Sequence, residues 1–133
     1  MRTVSPQDVI LDEASANGAS KPVFVKDSRH IVIEVVMTGF TGTLKFLGAQ
    51  KDTADGIDFS ASASLANPIA YIETIDTQNT TTPITGNTGI TGSGTTSVLF
   101  LEVNKNMLTW IGAIISGYSA GTVTVKVSHA NDN

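Results

Sequence analysis

The chain is expected to fold as an all-β, two-sheet antiparallel β-sandwich of jelly-roll or Greek-key type with seven or eight strands. Three observations predict it. β-Branched residues alternate with polar ones along nearly the whole sequence, most plainly in Thr122–Ser128, and no segment carries a helical period. Turn signals built on Gly, Asn and Asp separate these runs at short intervals. Successive strand side chains face opposite ways, so the valines of such a run need a second layer over them.

Each element follows from its own residues. Asp8–Asp12 reads as a short first strand, and Ala14–Ser20 as a loop around the Asn17-Gly18 turn. Pro22–Lys26 is a second strand whose opening Pro needs no ladder partner, and Asp27–Arg29 makes a tight connection. His30–Met37 is the third strand, with Ile31, Ile33, Val35 and Met37 toward the core and His30, Val32, Glu34 and Val36 outward. Thr38–Gly42 is read as a turn leading into Thr43–Leu47, the two strands pairing as a hairpin.

Ala49–Ser64 is polar, with Asp55-Gly56 in its middle, and Pro68–Ile75 forms a further strand. The stretch from Asp76 to Ser97 holds nine threonines, four glycines and one charged residue, and is expected to be a flexible Thr/Gly-rich loop at about 76–97. Val98–Val103 and Leu108–Ile115 form the next hairpin through Asn104-Lys105-Asn106, and Ser116–Gly121 turns the chain into the last strand. The run Leu108–Ile115 is apolar on both faces, which suits a strand buried on both sides; a loop or another subunit must cover the outer one.

A length of 133 residues makes residues 1–133 a single domain able to bury a real core. A net charge of −4 argues against a nucleic-acid surface, which needs clustered Lys and Arg. There is no cysteine for a disulfide or thiolate metal site, and no run approaches the ~20 apolar residues of a membrane-spanning helix. Charged residues make up only 15% of the chain, against roughly 25% in an average soluble domain. Two readings remain open: threonine-rich strands, or a surface covered by neighbouring subunits in a homo-oligomer or larger assembly.

Residues that carry chemistry are sparse. His30 and His129 have no carboxylate or histidine at a ligand-like interval. Asp52, Asp55 and Asp58 share a loop, but the alternate oxygens and closing Glu of a calcium loop are missing, so no metal or other cofactor is expected. Glu34, Glu73 and Glu102 sit on strands and would serve a glycosidase only by converging across a cleft. No Gly-x-Ser-x-Gly elbow or phosphate loop occurs. The chain is read as a non-enzyme, with no catalytic residues.

The segment from Trp110 to Val125, in which Ser116-Gly117-Tyr118-Ser119-Ala120-Gly121 precedes Thr122-Val123-Thr124-Val125, resembles the end of a β-sandwich domain found in tailed-phage virion proteins. A looser similarity extends over about residues 22–128, through the Ile/Val-rich strand and the Gly42–Phe46 run. The resemblance implies a structural protein of the virion, foremost a capsid decoration (cement) protein that binds the major capsid protein. Tail or head-to-tail adaptor components, or a carbohydrate-binding module of a fibre, are the alternatives it leaves. Where the family often places outward Arg, this chain has Gly112 and Ile114. With Val32, Val36 and Trp110, these make the expected interface.

Overall fold

The computed structural model describes residues 2–4, 7–26, 28, 30–84, 86–103 and 108–132, with the side chains of 2–4, 79–82 and 130–132 left aside. Among the described residues ten strands, rather than the expected seven or eight, follow one another: β1 (Arg2–Val4), β2 (Asp8–Ala14), β3 (Gly18–Ala19), β4 (Val23–Phe24), β5 (His30–Ala49), β6 (Ile69–Tyr71), β7 (Thr74–Asp76), β8 (Asn79–Ile84), β9 (Ile90–Val103) and β10 (Trp110–Asp132). The all-β, antiparallel expectation holds among the described residues. The strands form one hydrogen-bonded sheet in the order β1-β10-β5-β9-β7-β8. β2, β3 and β4 also lie along β10, and β6 lies beside β5.

Three strands dominate, and they correct the expected boundaries. Thr38–Gly42 and Ser116–Gly121 are not turns between strands; they are bulges inside β5 and β10, which run through them. Glycine and threonine there resemble turn residues, but long-range pairing on both sides keeps the strand going. The expected hairpin between Val98–Val103 and Leu108–Ile115 does not form either. β9 and β10 flank β5 on opposite sides, and residues 104–106 of the expected connector lie outside those described. Within the expected loop at 76–97, Asn79–Ile84 and the first half of β9 are strand. Pro68–Ile75 is split between β6 and β7, since Ile72 and Glu73 leave the ladder.

The bulges let the sheet double over. A straight strand of 20 residues would be about 65 Å long. Yet Thr109 N donates to Ala49 O at one end of β5, and Val25 N donates to Thr109 O at 2.8 Å. At the other end His129 pairs with Ile31, and its Nδ1 lies 2.9 Å from Ser28 Oγ. The stretch from Val25 to Ser28 reaches no more than ~11 Å, so β5 must fold back on itself. Its two halves accordingly share one core: Ile31, Ile33, Val35 and Met37 before the bend, Leu44 and Phe46 after it. Val123, Val125 and Val127 of β10 fill the same cluster and are fully buried, as their alternation requires.

Candidate interaction surface

The first half of β5 turns one face inward and leaves the other to solvent. On that outer face Lys126, Glu34 and Phe100 stand abreast on β10, β5 and β9, with Val9 of β2 beyond Lys126. The next row is Thr124, Val36 and Val98, and on the far side Ser128, Val32 and Glu102 are level. Val9 and Val98 are each 51% exposed and Phe100 is 44% exposed. Val32 and Val36, expected at an interface, are half-buried between them. The result is an apolar surface crossed by one opposed charge pair, Lys126 and Glu34. Val98 and Phe100 carry it toward β9. In the sequence, Val98-Leu99-Phe100-Leu101 is apolar on both faces, which is the signal that marks this extension.

The other three expected interface residues sit on the second half of the sheet, and the chain itself largely covers them. Gly112 is buried: a Cβ there would lie 2.4 Å from Phe59 Cδ2 and 2.5 Å from Phe59 Cε2. Phe59 belongs to the segment between β5 and β6. Asn67 holds this segment down, its Oδ1 accepting from Asp58 N at 2.8 Å and its Nδ2 donating to Asp58 O at 2.8 Å. Ser60 supports the turn by donating from its hydroxyl and its N–H to Asp58 Oδ1, which holds that carboxyl below its usual pKa. Beneath this cover a second cluster forms from Leu47, Ala49, Phe59 and Ile69, with Ile57, Trp110 and Ile114 packed against it.

The doubly apolar strand is therefore covered by a loop. Gly112 is not an outward apolar position, because its missing side chain makes room for Phe59. Ile114 is half-buried on the same cluster. Trp110 is half-buried too, its Nε1 donating to Lys51 O at 2.9 Å and its ring 5.1 Å from the exposed Phe24 in an edge-on arrangement. Gly112→Ala is expected to displace Phe59 and cost about 1–3 kcal/mol, as overpacking does. Thermal melting would measure the cost. A red shift of the Trp110 emission would report the loosened cover, and an unchanged spectrum and Tm would show that Phe59 is not wedged there.

One constellation escapes the sequence altogether. Ser28 Oγ lies 2.9 Å from His129 Nδ1, and His129 Nε2 lies 3.7 Å from Asp8 Oδ2. The order Ser–His–Asp matches a hydrolytic triad in composition only. In such triads the serine contacts Nε2 and the carboxylate Nδ1, and the hydroxyl faces substrate. Here the attachments are reversed and Ser28 is 7% exposed. The contact clasps the end of β10 to the turn in which Ser28 N donates to Val25 O. Glu34 and Glu102 are diagonal neighbours on a sheet face, not partners across a cleft. Among the described residues no group of three His, Asp or Glu side chains is placed to hold a metal ion.

Comparison with known protein families, with curated proteins and with solved structures finds no match for this chain.

Proposed function

We propose that this chain is a structural protein of a tailed-phage virion, a capsid decoration or cement protein that grips the head through the outer face of β2, β10, β5 and β9. The observation that carries the reading is the exposed set Val9, Val98 and Phe100 around Val32 and Val36, on a chain with only 15% charged residues. Large apolar side chains gathered on one sheet face mark contact surfaces. Each ~100 Å² of apolar area removed from water there yields about 2.5 kcal/mol before association costs. Repetition of the contact over a lattice adds avidity.

The sandwich architecture belongs to the same proposal. A sheet doubled over at the β5 and β10 bulges, with both halves facing one core, supports reading the two halves as the two layers of a jelly-roll-like domain. A glycan-binding role draws less support, because Trp110 already commits its N–H within the chain.

Val36→Lys tests the contact. The new side chain would lie between Thr124 and Val98 on a wet face, so stability should change by no more than about 1 kcal/mol. Buried unpaired against a partner, the same charge should cost several kcal/mol and empty the binding sites. The measurements are the melting curve of the purified variant and its occupancy on assembled particles. Normal occupancy would remove this face from the contact. A wild-type copy number of a ring-sized handful rather than hundreds would move the protein to a tail or adaptor position.

A further inference from the structure

We infer that β9 pairs edge to edge with β9 of a second copy, antiparallel about a two-fold axis, joining the two sheets. The two flanks of the sheet are treated differently. Along β10 the outer side is met in turn by β4, β3, β2 and β1, from Trp110 to Asp132. Along β9 the described residues meet the outer side near its end, where β7 pairs with Leu101–Val103 and Thr77 N donates to Phe100 O. Among the described residues no strand pairs with the outer side of Ile90–Leu99.

The groups left open follow from strand geometry. Phe100 O points toward β7, away from β5. Backbone groups of alternate residues in a strand share a direction, so Val98 and Thr96 also present their N–H and C=O outward. Thr91, Ser93, Gly94, Thr96 and Val98 are exposed.

What this edge lacks says what it is for. Proteins blunt open edges with Lys, Pro or inward charges, because an unguarded row of N–H and C=O groups templates another strand. From Thr77 to Leu101 there is no charged residue, and β9 contains no Pro. Antiparallel self-pairing therefore brings no like charges together, which a charged edge would forbid. A two-fold axis also satisfies the geometry with one segment, since residue i meets j and j meets i. A second copy is thus the occupant that the composition fits. The inference concerns the edge and stands apart from the partner of the outer face.

Sedimentation velocity over a concentration series, with Thr91→Lys as the edge variant, tests it. Wild type should sediment as a dimer at high concentration, and Thr91→Lys should weaken association by at least about tenfold while keeping its melting curve. Hydrogen exchange on wild type needs no variant: the Thr96 and Val98 amides should slow with rising concentration while Val125 stays constant. A wild-type monomer throughout, or exchange at Thr96 and Val98 that ignores concentration, would overturn the pairing. A dimer that survives Thr91→Lys with those amides still unprotected would place the contact elsewhere. Val36→Lys separates the two surfaces: it should lose particle occupancy yet remain dimeric.

Discussion

Phe40→Ala is expected to destabilise the fold by about 3–5 kcal/mol, the range for deleting a buried Phe ring. That is a large share of the ~5–15 kcal/mol that holds a typical domain. Phe40 is fully buried at the bend of β5 as part of the main core cluster, and two glycines come close to its ring. A Cβ on Gly42 would come within 2.9 Å of Phe40 Cζ, and one on Gly92 within 2.8 Å of Phe40 Cδ2. Tyr118 stands 6.4 Å away, centroid to centroid. On the sides where Gly42 and Gly92 line the ring there is no side chain to swing into the hole left by alanine, which pushes the cost toward the upper end. Urea denaturation followed by circular dichroism would measure it. A loss below about 1 kcal/mol would show that the bend is not built around this ring.

Gly121→Ala is expected to cost about 2–4 kcal/mol, combining overpacking with a strained backbone. Gly121 has φ +77°, in the left-handed region, and a Cβ on it would lie 2.2 Å from Gly39 O and 2.6 Å from Phe40 N. Those neighbours are main-chain atoms of β5, so relief requires the two long strands to part where they bend together. Gly94→Ala is the control: φ is +64°, but nothing lies within 4 Å of its Cβ position. It should lose only the backbone contribution, about 1 kcal/mol. Similar melting temperatures for the two variants would mean that close approach at Gly121 contributes nothing.

The core was legible where local pattern and tertiary environment agree. Ile31, Ile33, Val35 and Met37, and Val123, Val125 and Val127, alternate with polar residues and are buried as alternation demands. The bends were not legible. Gly39, Gly42, Gly117 and Gly121 look like the ends of strands, and only register with a distant partner shows that the strand resumes. The strand character of Ile90–Ser97 was hidden likewise, since threonine and glycine gain a ladder there from Met37–Leu44. Of the expected contact residues, Val32 and Val36 reach an open face, whereas Gly112 lies under Phe59, 53 positions away in sequence. Ser28 and His129, 101 positions apart, carry no spacing signal at all.

The pairing order also decides when this chain can fold. Among the described residues, β1, β2, β3 and β4 have their ladder partners on β10 alone, so Arg2 waits for Asp132 and Phe24 waits for Trp110. Synthesis proceeds at about 5–20 residues per second. The amino-terminal quarter is therefore made seconds before any strand exists for it to join. β5 meets the short β6 first, but its long ladders wait for β9 and then for β10. β5 to β9 can pair among themselves before β10 is made, but the sheet closes only once β10 is present, so closure is expected late and the topology is one of high contact order. Until β10 is made, the valine-rich half of β5 keeps one flank open, as does the uncharged outer side of β9, which makes nascent-chain crowding the hazard this topology carries.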